Sequence, residues 1–187
     1  LPASRDELAS ILAQYPGRAT ALVGRPASAA ALRARASGYA ILHLATFGVL
    51  NKHNPLFSYV ELAGAGDEAR LEVHEVFALP LDGQLVVLSA CQTALASGAV
   101  ADVPPGDDWV GFTQAFLQAG ARGVLASLWR VEDRATARLM ELFYRRLASG
   151  ESEAAALAGA QRAVLREPGR AHPFYWAGFV LSGSGTN

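Results

Sequence analysis

Two kinds of apolar pattern alternate along the chain. Short, nearly continuous apolar runs occur at residues 19–24, 39–45, 84–90, 123–129 and 175–181. Between them, apolar residues recur every three or four positions: Leu8, Ile11 and Leu12 in a stretch reaching about Tyr15, then 27–37 closed by Gly38, 109–118 closed by Gly120, and 133–148. The first pattern predicts strands buried on both faces and the second predicts amphipathic helices. Ser4 followed by Glu7 matches a capping box, in which each side chain satisfies an orphan amide of a helix start. Residues 57–62 read as a further strand, 71–79 as a short helix carrying Val73, Val76 and Phe77, and the alanine-rich 153–163 as a helix by propensity. Strands alternating with helices predict an α/β fold with helices on both faces of a mostly parallel sheet. No repeat or low-complexity linker interrupts the order, so residues 1–187 read as a single domain. The long irregular stretch is 93–108, rich in Gly, Pro and Ser, and loops of that length are usually functional.

Composition narrows the picture without changing it. An apolar fraction of 51% over 187 residues supports one large core. With 16 basic and 17 acidic residues there is no net field for a polyanion, and nucleic acid is not expected as a partner. The apolar runs are far shorter than the roughly 20 residues that span a bilayer, so no membrane association is expected. A single cysteine forms no internal disulfide, which fits a reducing compartment and a cytoplasmic location. The chain opens Leu-Pro-Ala-Ser, without a secretion signal, and reads as a piece of a longer protein.

In an open parallel sheet, ligands gather at the carboxyl ends of the strands. Two runs end there with chemistry attached. Leu85-Val-Val-Leu-Ser-Ala-Cys91-Gln-Thr places a thiol just past a buried strand, and Ile41-Leu-His-Leu-Ala-Thr-Phe47-Gly48 ends on a glycine. His53, His74 and His172, taken with Cys91, lack the spacing of a zinc site, so no metal is expected. No Gly-x-x-x-x-Gly-Lys occurs, and Gly24-Arg-Pro-Ala lacks the glycine pattern of a dinucleotide turn. No cofactor is expected, and a nucleotide-binding fold falls behind.

Five ordered blocks make a resemblance specific: His43-Leu-Ala-Thr-Phe47-Gly48, Asn54-Pro-Leu-Phe-Ser58, Leu88-Ser-Ala-Cys91-Gln-Thr93, Ala126-Ser-Leu-Trp129-Arg-Val-Glu-Asp133 and His172-Pro-Phe-Tyr-Trp176. Together they resemble the CHAT domain, a relative of caspases and separases, over nearly the whole chain. The resemblance implies a caspase-like three-layer αβα sandwich and a cysteine–histidine dyad that cuts peptide bonds. It also implies further strands upstream, so the N-terminal part of the full domain is expected to be missing from these 187 residues. Cys91 falls at the nucleophile, whose thiolate would form an acyl-enzyme, and the backbone amides of Gly48 and Cys91 fall at the oxyanion hole.

One position departs from the family pattern. The catalytic histidine directly precedes the glycine in relatives, and here that residue is Phe47. A phenyl ring neither takes the thiol proton nor gives one to the leaving amine. A cysteine with an ordinary pKa of about 8.5 is only a few per cent thiolate at neutral pH. His43 lies four residues earlier, about 13 Å back at roughly 3.3 Å per residue, and reads as a core histidine with satisfied ring nitrogens. Asp133 reads as a helix N-cap, Trp129 and Trp176 as packing residues, and Asp107 with Asp108 as solvated loop acids or a contact for a basic peptide residue.

The sequence therefore predicts a cysteine endopeptidase scaffold that is inactive or strongly impaired, acting on a peptide or protein. The alternative is a non-catalytic module that binds a peptide or is regulated by repeat domains of the same parent chain, since family members often follow such repeats.

Overall fold

The computed structural model describes residues 4–51, 53–89, 91–92, 110–129 and 131–183, with the backbone alone for Asp67, Cys91, Gln92 and Val110. Helix α1 (Ser4–Gln14) and helix α2 (Ala29–Arg35) precede strands β1 (Ile41–Leu44), β2 (Phe47–Val49), β3 (Tyr59–Glu61) and β4 (Arg70–Glu72). Helix α3 (Val73–Val76), strands β5 (Leu85–Leu88) and β6 (Cys91–Gln92), and helix α4 (Val110–Gln118) follow. The chain then forms β7 (Gly123–Ser127), α5 (Asp133–Ala148), α6 (Glu153–Leu165) and β8 (Phe179–Gly183).

The strands form two sheets. The main sheet has the order β1-β5-β7-β8, in which β1, β5 and β7 are parallel and β8 is antiparallel. The smaller sheet has the order β4-β3-β2-β6, with only β2 and β6 parallel. Alternation along β5 and β7 explains the layers. Val86, Leu88, Val124 and Ala126 join one core with Phe112, Ala115 and Phe116 of α4 and Val73 and Val76 of α3. Leu85, Val87 and Leu125 join the other with Leu139, Met140 and Phe143 of α5 and Ala156, Ala160 and Val164 of α6. Every residue of β5 and β7 is buried, as expected of parallel strands covered on both faces. The result is the predicted caspase-like αβα sandwich. Gly120 closes α4 with φ 108°, and a Cβ there would collide with the Leu81 carbonyl.

Three local expectations are corrected. Residues 19–24 form no strand. They line a cavity of about 870 Å³ together with Leu8, Leu12, Leu32, Tyr144 and β1, and no ladder joins their backbone to the open edge of β1. The last strand starts at Phe179, because a 3-10 turn (Pro173–Tyr175), capped where the Phe174 amide donates to His172 Nδ1 at 3.2 Å, uses the residues before it. Asp133 is the first residue of α5, with Glu132 at the cap. The segment 71–79 divides between β4 and α3, and 57–62 contains β3. Among the described residues no helix is long and apolar enough to cross a membrane.

Candidate active site

The two sheets share two chain segments. The chain leaving β1 passes through Ala45 and Thr46 into β2, and β6 follows β5 two residues further along the chain. Register is kept across the break: residue n of the first segment pairs with residue n+44 of the second, from Ile41–Leu85 through Leu44–Leu88 to Phe47–Cys91 and Gly48–Gln92. The parallel β1–β5 pair thus continues past the main sheet, and its continuation brings positions 47 and 91 side by side as Cα partners. Registered neighbours on adjacent strands lie about 4.8 Å apart.

Gly48 is buried and pairs on both sides, with Gln92 in parallel and Val60 in antiparallel register. Phe47 is half-buried. The turn between β2 and β3 is built by side chains of the Asn54–Ser58 block and its neighbours. The Asn51 side-chain oxygen accepts from the amides of His53 and Asn54 at 3.1 and 3.0 Å, and that of Asn54 accepts from Leu56 at 3.2 Å. Ser58 Oγ accepts from the Asn51 amide at 3.0 Å, and Ser58 O accepts from the Val73 amide at 2.9 Å. These bonds replace the ladder that a longer hairpin would supply. Trp129 and Trp176 pack against the α5–α6 core, their indole N–H groups donating to Phe174 O at 3.2 Å and Ala171 O at 3.3 Å.

His43 belongs to a different environment. Its Cα partner is Val87, four residues short of Cys91, and its side chain is only 9% exposed. Nδ1 is hydrogen-bonded to the Tyr144 hydroxyl at 2.9 Å. Nε2 lies 3.1 Å from Glu7 Oε1, close enough for an ion pair but without the alignment of a hydrogen bond. Burial, then the nearby Glu7 carboxylate and Tyr15, hold the Tyr144 hydroxyl well above its ordinary value of 10.0. Glu7, read from the sequence as a capping residue, is instead buried at 4% exposure against His43. The signal was present: Glu7 stands one helical turn before Ile11, on the face that α1 buries. Tyr144 gave no signal beyond its place on the apolar face of α5.

The expected loop 93–108, with Thr93, Asp107 and Asp108, and the side chain of Cys91 lie outside the described residues.

A family model for the CHAT domain matches residues 1–184. Among curated proteins, Tetratricopeptide repeat protein 28 of Mus musculus is 38% identical over 117 residues, 63% of this chain and 4% of that protein. Its counterpart from Homo sapiens is 37% identical over 117 residues, again 63% of this chain and 4% of that protein. The chain therefore spans a small fraction of the length of the curated relatives it matches.

Proposed function

The chain belongs to the CHAT domain family, and from that premise we propose a cysteine endopeptidase-like domain, with Cys91 as the nucleophile and its proton-transfer partner missing at Phe47. The observation that carries this reading is the registered pairing of Phe47 with Cys91. A base at position 47 would start one strand spacing from the thiol-bearing residue. His43, held between Glu7 and Tyr144 a turn of strand away, is not available for that work.

The chemistry follows from what remains. The Cys91 sulfur would attack a peptide carbonyl carbon, the C–N bond would break, and a thioester would form and be hydrolysed by water. The backbone amides of Gly48 and Cys91 are the proposed donors to the oxyanion, and neither depends on the side chain at 47. Phenylalanine removes the proton route: the thiol proton must go to solvent, and the leaving amine must take its proton from solvent. General acid–base groups contribute about 10²–10⁴-fold, so the domain is inactive or strongly impaired as it stands. Phe47→His tests this directly. Thiol-dependent cleavage of a peptide library should emerge or rise by about that factor and vanish on Cys91→Ala. A Phe47→His protein that stays inert would sink the idea that only the base is missing.

A second reading is favoured by one finding, that the relatives are named for tetratricopeptide repeats. In this reading the domain is a non-catalytic module that binds an extended peptide or answers to repeat domains of the same parent chain. Capture of such a repeat segment that is unchanged by Cys91→Ala would support it, and loss of capture on Cys91→Ala would count against it. A cytoplasmic location is proposed on the single cysteine, which suits a reducing compartment.

A further inference from the structure

Strand β1 poses a register problem. Its residues are Ile41, Leu42, His43 and Leu44, and among the described residues β5 is its only strand neighbour. The other side opens towards the cavity. Three of its four side chains are aliphatic and similar in size. A lengthwise slip of β1 along β5 by two residues would keep every side chain on its own face and set aliphatic groups against aliphatic groups. Apolar packing alone therefore specifies the register of this edge weakly. Yet the site depends on it, because a slip of even one residue moves position 47 by about 3.3 Å along Cys91's strand.

The one polar side chain of β1 is His43, and it is gripped from two different helices. Tyr144 of α5 bonds Nδ1 at 2.9 Å, and Glu7 of α1 stands 3.1 Å from Nε2. Among the described residues, Glu7 is the only fully buried carboxylate. Burying a carboxylate is costly, and an imidazole without an aligned hydrogen bond offsets that poorly, so the pair is a weak source of stability. Specifying register is the best-attested use of such buried polar groups, because every alternative alignment takes Nδ1 from the Tyr144 hydroxyl and parts the Glu7 carboxylate from the imidazole beside it.

We propose that Glu7 is a positioning residue. Together with Tyr144 it pins His43, fixes the lengthwise placement of residues 41–49 against 85–92, and so keeps position 47 opposite Cys91. The inference rests on the reading of positions 47 and 91 as one site, but not on catalysis, so its test reports a cross-link rather than turnover.

Phe47→Cys pairs a second thiol with the chain's only native cysteine. Under mild oxidation, with Glu7 intact, it should close a 47–91 disulfide, as Cα atoms of registered neighbours fall within disulfide range. Adding Glu7→Leu should slow closure by about tenfold or more and let Ala45→Cys cross-link to Cys91 at a comparable rate, while Glu7→Gln should stay within about twofold of the parent. Leu157→Ala, a core truncation in α6, provides a control that lowers global stability at least as much as Glu7→Leu and should leave the 47–91 rate unchanged. Amide exchange of residues 41–49 gives a second reading: it should rise with Glu7→Leu and not with Leu157→Ala. Equal closure with and without Glu7, equal slowing by the control, or failure of Phe47→Cys to close with Glu7 intact would each overturn the proposal. Peptide cleavage by Phe47→His is a separate outcome, and its failure leaves these cross-linking results standing.

Discussion

The two sheets are made in part from the same two chain segments, yet they are held by different means. In the main sheet, every residue of β5 and β7 is buried between two apolar cores. In the smaller sheet, β2, β3 and β4 are three residues long, and each has one buried residue flanked by half-buried or exposed ones. The large sheet is secured by area removed from water. The small one buries little beyond Val60 and Leu71 in one of those cores, and adds side-chain-to-backbone bonds in its turn and the register that β2 and β6 continue from β1 and β5. The proposed site therefore lies on the extension and not on the anchor. It stands where the backbone is less deeply enclosed, with the residues proposed to align it behind it.

Breaking the anchor should have the largest effect on stability. Phe143, fully buried in α5 against the main sheet, should cost about 3–5 kcal/mol as Phe143→Ala, read by chemical denaturation, with all described strands losing exchange protection together. Leu71 of β4, also fully buried, should cost about 2–4 kcal/mol as Leu71→Ala, with exchange rising first at 47–49, 59–61 and 70–72. Uniform loss of protection in both variants would erase the distinction between the sheets.

The polar pin behind the site should appear in alkali. The folded-state pKa of Tyr144 is raised above 10.0, so the native state keeps a proton that the unfolded chain loses. Stability contributed by this group is complete below pH 10 and is lost as pH rises towards the folded value, at up to about 1.4 kcal/mol per pH unit. Urea unfolding between pH 9 and 11 should show this fall, and Tyr144→Phe should flatten it. A slope unchanged by Tyr144→Phe would assign the fall elsewhere.

Smaller effects belong to the surface. Asn54→Ala removes the acceptor for the Leu56 amide and should cost about 1 kcal/mol, expressed in the small sheet. Arg145→Ala breaks an exposed helical ion pair with Glu141 and should change stability by no more than about 0.5 kcal/mol.

What was legible in the sequence follows the same division. The runs at 84–90 and 123–129 and the periodicity of 133–148 revealed β5, β7 and α5, because burial on both faces, or on one helical face, leaves a pattern in composition. The ordered motif blocks revealed the family, and the site proposed at Cys91, Phe47 and Gly48 rests on them. Residues 19–24 carried the same apolar signature as the true strands. None of them is buried in the fold and Val23 is 51% exposed, so an apolar run this short does not by itself report burial or pairing. Glu7 obeyed a capping rule that depends on three residues of sequence, whereas its partner His43 lies on another element altogether. The β3–β4 pairing is too short for period-two alternation to be distinguished from chance.

The proposed site is one that retains its nucleophile position and lacks only its base. It is tested most directly by the rate at which a peptide bearing an electrophilic warhead alkylates Cys91, measured against pH in the parent and in Phe47→His. The parent rate should climb through the ordinary thiol range near about 8.5, and the Phe47→His rate should be at least about tenfold higher at neutral pH, with its plateau extending to lower pH. A parent protein already at its plateau near neutral pH, or a Phe47→His profile that overlays the parent's, would contradict that proposal.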